Sequence, residues 1–579
     1  MYLGWIDYGV LILLLIFSGG IGIYHGCVRS KQTSTKEFLI ADGQMRVLPT
    51  AMSLLASLTS AASLLGVPVE IYYYGTMFVY CIISWFFATY LTMKFFIPKF
   101  HSIGSISVYA YLEQRFSLTM RIMVTCSFIL VTSIQILYMS VILYGPSLAL
   151  SQVTGLNLWV AVGLCGVVCT IYTSIGGMKA VIWTDVIQAS IMFLGLISTI
   201  IFGLIDAGGI SKVYETVKNG NRLQLSVVTF DPSIRYTIWS VLIGSTFSST
   251  ANYACIQTQA QRYMCVKDTK AAQKVAWINY VMNVIMQMLC LCVGCLLYAK
   301  YSQCDPLRAK IISRPDQMYP LFVIETLGRF PGLTGLFIAC ILSATLSTFS
   351  SGVNSIATVI LEDIYKRLST KLEISNREQV ILSKVLSVLV GCLTVFMAFI
   401  VSYMKSSIAT IILQIFGAFV APILGVYLLG LLSSRVKSRS AIVAFFLCLI
   451  FQIFVLLGSI FTEKPPNKQG GRLPTSIAGC VPFANVTIST ITKPNPSYHI
   501  LMPLFSISPL WFIFNGTILT IVLAMIFTFI LDSKDPKIIN PSLLVSRHEI
   551  FSCFSSRKEN IKRTETQKDG TTIEQEAML

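Results

Sequence analysis

Ser343-Ala344-Thr345-Leu346-Ser347-Thr348-Phe349-Ser350-Ser351-Gly352-Val353-Asn354 is the stretch on which the reading of this sequence turns. Positions 344, 347, 348 and 351 are three or four apart and fall on one helical face. The surrounding run, Tyr319 to Leu361, is largely apolar, so the hydroxyls sit inside a hydrophobic segment. Such a face has two readings. It packs one helix closely against others, or it supplies the neutral oxygens that a bare monovalent cation needs once its water is stripped, without the cost of a charge in the bilayer.

A second hydroxyl-rich stretch lies far upstream: Ser53-Leu-Leu-Ala-Ser-Leu-Thr-Ser-Ala-Ala-Ser63, followed by Gly66-Val67-Pro68. It again reads either as close packing or as a helix break whose freed carbonyls and hydroxyls coordinate an ion. Asp185 is one of few acids near these zones. It follows Gly176-Gly177-Met178-Lys179-Ala180-Val-Ile-Trp183-Thr184 at the start of an apolar span. An ionisable group at such an edge is either functional or an interfacial helix cap.

Only 12% of the 579 residues are charged and 55% are hydrophobic, against about 25% charged in soluble domains. That excludes an ordinary cytosolic enzyme and indicates a chain solvated by lipid. The net charge of +17 is spread over short loops rather than gathered in a patch, which excludes a nucleic-acid partner and fits positive-inside topology. Cys290, Cys292 and Cys295 have no His or acid beside them, so they read as helix packing and not as a transition-metal site. The four histidines, His25, His101, His499 and His548, lie in loops, at a span edge or in the tail. No intramembrane His, Cys or acid cluster offers a general base or nucleophile, so the chain is not read as an enzyme.

At roughly 20 apolar residues per crossing, the sequence predicts an all-α polytopic membrane protein with about 13 spans. The first seven are Tyr2 to Gly26, Val47 to Val67, Thr76 to Ile97, Arg121 to Leu150, Leu156 to Ile175, Val181 to Ile205 and Tyr236 to Thr258. The rest are Val275 to Tyr298, Tyr319 to Leu361, Val380 to Met404, Ile408 to Leu432, Ala441 to Ile460 and Ser508 to Leu531. The first lacks a basic start and a cleavage site and reads as an uncleaved helix. Loops carrying Arg29, Lys36 and Arg46, then Lys99 and Arg115, Arg262 and Lys267, Lys366 and Arg367, and Arg435 and Lys437 fall on one side with the basic tail. That side is cytoplasmic, and the odd span count puts the N-terminus outside.

The outer loop 461–507 is rich in Pro, Gly, Ser and Thr and contains the glycosylation acceptor Asn485-Val486-Thr487. Cys304 and Cys480 both fall in outer loops, where they stand either bridged or as two free thiols. The tail 532–579 is polar, almost without apolar periodicity, and reads as disordered.

Gly176-Gly177-Met178-Lys179-Ala180-Val181-Ile182-Trp183-Thr184-Asp185, Gln261-Arg262-Tyr263, Leu346-Ser347-Thr348 through Asn354, and Glu362-Asp363-Ile364-Tyr365 come in an order and at separations that resemble the sodium:solute symporter family. The resemblance covers roughly Tyr2 to Leu531. With Leu65-Gly66-Val67-Pro68 and Glu70, it is similar to the branch of sodium-coupled monocarboxylate, multivitamin and iodide symporters. It implies a leucine-transporter-like 5+5 inverted repeat: 47–205 as the first half and 236–432 as the second. Residues 1–26 add one helix before them and 441–531 two after them. The second and seventh spans would be broken helices meeting the solute at the midplane.

By the family pattern, sodium takes the backbone carbonyls near Ala56 and Thr59, the Ala344 carbonyl and the hydroxyls of Ser347 and Thr348, with Asp185 near the inner exit. The solute cavity takes Ser60, Ser63, Tyr144, Asn252, Tyr253, Gln257 and Gln414. Sodium is the coupling ion and no other cofactor is implied. The resemblance therefore predicts a plasma-membrane symporter that imports a small organic solute, a monocarboxylate or vitamin-like anion. Leu58 and Ser63 replace the Asn and His of the sugar branch, and Tyr73 stands where the anion branch often has Arg. Other readings are a sodium-coupled carrier of an inorganic anion or other small solute, and a transport-inactive sensor on the same fold.

Overall fold

The computed structural model describes residues 4–29, 34–131, 158–312, 314–368, 375–402, 408–461, 472–480, 501–531 and 540–545. Among them every regular element is helical, and nine helices, or ten with one bent pair, are long and apolar enough to cross a membrane. The expected fourth span lies mostly outside the described residues. The fifth and sixth run as one element, and the seventh is broken into pieces too short to qualify.

The second span is α1 (Val47–Leu58) followed by α2 (Ala61–Tyr74), bent by 64° between them. Its local chemistry explains the break. Thr59 leaves helical geometry (φ −87°, ψ 90°), and the Ser60 hydroxyl caps α2 by accepting from the Ser63 amide at 3.2 Å. The span continues to Tyr74, beyond the expected end at Val67, and stops where Gly75 takes φ 78°.

The helix α3 (Leu158–Ala207) contains the expected fifth and sixth spans, joined at Gly177 (φ 58°, ψ −158°). A Cβ there would lie 2.7 Å from the Phe38 carbonyl oxygen, so the joint needs glycine on steric as well as conformational grounds. The seventh span breaks at Ile256 (φ −95°, ψ 123°), between a π-helical turn, Ala251–Cys255, and α4 (Gln257–Tyr263). The next span is α5 (Thr269–Tyr301).

The expected single run Tyr319 to Leu361 divides into Met318–Leu327 and α6 (Leu333–Val359), separated by a turn at Gly328 to Gly332. Pro331-Gly332 is the local cause, with Gly332 at φ 87°. In its most apolar window α6 is 94% buried by protein, against 28% for the first and last spans. It is therefore the central pillar, and its hydroxyls face neither lipid nor open water. Several are satisfied within the helix, Thr345 donating to the Ile341 carbonyl, Thr348 to Ala344 and Ser351 to Ser347 at 2.7–2.9 Å.

Three further features position the ends. Asp7 accepts from the Gly335 amide at 2.8 Å and ties the N-terminal helix to α6. Cys304 and Cys480 form a disulfide with Cα atoms 4.9 Å apart. Within the tail, where disorder was expected, 540–545 is docked: Lys99 donates to the Leu544 carbonyl at 2.8 Å and Val545 to that of Leu431 at 2.9 Å. Asn485 lies outside the described residues.

Gly177→Ala is expected to lower stability by about 2 kcal/mol or more, whereas Gly19→Ala, where a Cβ meets nothing within 4 Å, should be close to neutral. Melting in detergent checks this; equal melting temperatures would contradict the joint's steric demand.

Candidate ion and solute site

The centre of the site is a buried carboxylate. Sequence reasoning put Asp185 at a span edge, as an ion exit or a cap. The structure instead buries it completely within α3, because the helix resumes directly after Gly177 and carries Asp185 two turns into the protein. One oxygen accepts from the Ser347 hydroxyl at 2.6 Å. The other accepts from Ser53 at 2.5 Å and faces the Arg262 guanidinium at 3.2 Å.

Arg262, counted above among cytoplasmic loop charges, is also fully buried, at the end of α4. It donates to the Ser53 hydroxyl at 2.8 Å, the Thr258 carbonyl at 2.6 Å and the Ser351 hydroxyl at 2.5 Å. One ion pair thus joins α1, α3, α4 and α6. A buried pair survives only with its remaining hydrogen-bond capacity filled, and the four partners do this.

Of the residues expected to hold sodium, Ser347 belongs to that network directly. Ala56 and Ala344 are fully buried; Thr59 and Thr348 are 7% and 8% exposed. Ala56 is in the last turn of α1, where carbonyls lack intrahelical partners, and Thr59 is the break itself. The Thr348 hydroxyl and the Ala344 carbonyl are already 2.9 Å apart. Ser347 and Thr348 each spend their proton on a neighbour, leaving lone pairs as the oxygen's free capacity.

The residues expected at the solute divide differently. Ser60 and Ser63 sit at the start of α2 with hydroxyls 3.2 Å apart. Asn252 is half-buried and donates to the Ser248 carbonyl at 3.0 Å, and Tyr253 and Gln414 are buried. Gln257 is fully buried, and its amide braces the loop before Tyr109, donating to the Ile106 carbonyl and accepting from the Val108 amide, both at 3.0 Å. Tyr144 lies outside the described residues.

Two features escaped sequence reasoning. Asn279, Asn283 and Gln287, one helical face of α5, are buried with at least one polar atom each lacking a partner among the described residues. Their spacing of four was the available signal. Asp363 accepts from Ser107 at 2.8 Å and Thr125 at 3.2 Å and pairs with Arg121, which also meets Glu113 at 2.5 Å. Glu362-Asp363 was noticed only as a motif.

Two discontinuous spans, facing a buried hydroxyl pillar and latched to one carboxylate, define an ion-coupled membrane transporter. The sequence model of the sodium:solute symporter family matches residues 38–448, and the chain belongs to that family. It is 36% identical over 554 residues to sodium-coupled monocarboxylate transporter 2 of Mus musculus, covering 95% of this chain and 88% of that one. It is 37% identical over 534 residues to the sodium-dependent multivitamin transporter of Oryctolagus cuniculus, covering 90% and 81%. The fold matches that of a substrate-bound, outward-open Na+-coupled sialic acid symporter with a TM-score of 0.73, at 22% identity over 92% of this chain and all of that one. The architecture is leucine-transporter-like, and sodium is the coupling ion.

Asp185→Leu and Arg262→Met should each cost about 3–5 kcal/mol by stranding the partner charge, and the double substitution should cost well under their sum. Thermal melting of the three variants checks this; additive losses would contradict the pair.

Proposed function

We propose that this protein imports a small monocarboxylate or vitamin-like anion with sodium, by alternating access across the plasma membrane. The observation that carries the reading is the 64° break between Leu58 and Ala61, with the two half-helices ending beside each other. The C-terminus of α1 presents carbonyls and a partial negative charge, which suits a cation. The N-terminus of α2, capped by Ser60, presents amides and a partial positive charge, which suits a carboxylate. A cation and an anion side by side across one break stabilise each other, which is the physical form that coupling takes.

Sodium is assigned to the carbonyls of Ala56, Thr59 and Ala344 and the hydroxyls of Ser347 and Thr348. The solute is assigned to Ser60, Ser63, Asn252, Tyr253 and Gln414, with Tyr144 from the fourth span. Asp185, one hydrogen bond behind Ser347, takes the ion next on its way in. The relatives named as monocarboxylate and multivitamin transporters support the solute class. Each 100 mV of inside-negative potential adds about 2.3 kcal/mol per charge carried inward.

The reading places the two repeats at 47–205 and 236–432, the extra helices at 1–26 and 441–531, and the N-terminus outside. The tail 532–579 and the basic loops are then cytoplasmic, and loop 461–507 with Asn485 is extracellular. The lipid bilayer is the only extended partner, with no nucleic acid and no cofactor besides sodium.

Thr348→Ala deletes one proposed ligand and leaves the Ser347–Asp185 contact intact. It should raise the sodium concentration for half-maximal uptake by about tenfold, the equivalent of about 1.4 kcal/mol, and Thr348→Ser should restore it. Ser347→Ala with Thr348→Ala should abolish sodium-driven uptake at normal surface abundance. Uptake of labelled short monocarboxylates over a sodium series checks both; unchanged sodium dependence in the double variant would rule out the site.

A further inference from the structure

The half-buried positions of α2 are Ala62, Ser63, Gly66, Val67, Glu70 and Tyr74, spaced three or four apart, while those between them are buried. A Cβ built on Gly66 would meet nothing within 4 Å. A stripe with Ser63 and Glu70 on it is expensive to lay against lipid, a composition that suits the wall of an aqueous approach descending to the break at Thr59. Its upper end is the end of α2 at Tyr74, on the side that the proposed topology makes extracellular.

Two arginines stand at that mouth in different electrostatic states. Arg235 donates to Glu70 at 2.7 Å, and Glu70 also accepts from the Tyr236 hydroxyl at 2.9 Å, so these two charges cancel. Arg472 lies over the Tyr73 ring at 3.8 Å, is exposed, and has no acidic partner within salt-bridge distance among the described residues. Its charge reaches Glu70 and Tyr74 on the lining stripe.

Although Arg472 belongs to the long loop, the chain beside it is fixed. The Leu473 amide donates to the Tyr73 carbonyl at 2.8 Å and buried Arg222 to the Pro474 carbonyl at 2.7 Å. The Asp305 amide donates to the Ser476 carbonyl at 2.9 Å, and the Cys304–Cys480 disulfide closes the segment onto the end of α5. Arg472 lies over the Tyr73 ring and within reach of its hydroxyl, which commits the face of the guanidinium and leaves its remaining N–H groups for a ligand.

We infer that Arg472 is the outer capture residue for the carboxylate of the transported solute, a specificity determinant placed by the loop beside Tyr73 rather than by the helix itself. The inference rests on the proposed import of a small carboxylate. Arg472 acts by raising the local concentration of anions at the mouth and by offering a planar pair of donors before the solute reaches the amide-rich start of α2. It takes no part in holding sodium.

The test is uptake of a labelled short monocarboxylate by cells expressing full-length wild type, Arg472→Gln and Arg472→Lys, normalised to surface protein. Arg472→Gln should raise KM for the carboxylate about three- to tenfold with maximal rate and half-saturating sodium unchanged. It should also flatten the rise of KM with ionic strength measured at constant sodium. Arg472→Lys should keep most of that ionic-strength dependence. A wild-type KM in Arg472→Gln, or a Lys variant that behaves like Gln in ionic-strength dependence, overturns the capture role while leaving carboxylate import standing. A wild-type protein that takes up no carboxylate overturns both.

Discussion

Four elements of the core are registered on one carboxylate. Asp185 accepts from α1 through Ser53 and from α6 through Ser347, and it faces α4 through Arg262. Removing an acid and a guanidinium from water costs several kcal/mol per ion. The pair persists because Ser53, Ser351 and the Thr258 carbonyl fill what the two charges leave unmet. An ion pair of this kind specifies arrangement more than it stabilises. It fixes the lower halves of both broken spans against the hydroxyl pillar, and any motion of either half must exchange these bonds.

The same carboxylate tunes the proposed ion site. Ser347 donates its proton to Asp185, and a hydroxyl that donates to an anion becomes a better acceptor at its lone pairs. Thr348 is polarised in the same sense, more weakly, by donating to the Ala344 carbonyl. Neutral oxygens are thereby made more attractive to a cation without a negative ligand in direct contact. In the proposed arrangement sodium there would also meet the carbonyls at the end of α1, so that ion binding would order the break on which the solute then docks. The break is intrinsic to Ser57-Leu58-Thr59-Ser60, whose hydroxyls compete with helical hydrogen bonding.

Much of this was legible in the chain. The hydroxyl face of 343–354 and the hydroxyl-rich second span stood out because polar side chains inside apolar runs are costly and therefore purposeful. The partners of Asp185 were not legible. Gln257-Thr258-Gln259-Ala260-Gln261-Arg262-Tyr263 is polar enough to read as a loop, yet it is a buried helix whose amides and guanidinium find partners on elements distant in sequence. The partners of Gln257 were hidden for the same reason, since Ile106 and Val108 lie about 150 residues away. The break at Ile256 has no Gly or Pro to announce it. Gly176-Gly177 fell between two expected spans, and nothing in that stretch said that Asp185 would be buried beyond it.

The central claim is that sodium sits between the end of α1 and the hydroxyl face of α6, backed by Asp185. Its most direct test is a pair of cryo-electron microscopy maps of the protein, one in sodium and one with sodium replaced by choline. The account predicts a density peak in sodium, ringed by the oxygens of Ala56, Thr59, Ala344, Ser347 and Thr348, that disappears in choline. A sodium-dependent peak elsewhere, with these five oxygens unoccupied in both maps, would contradict it.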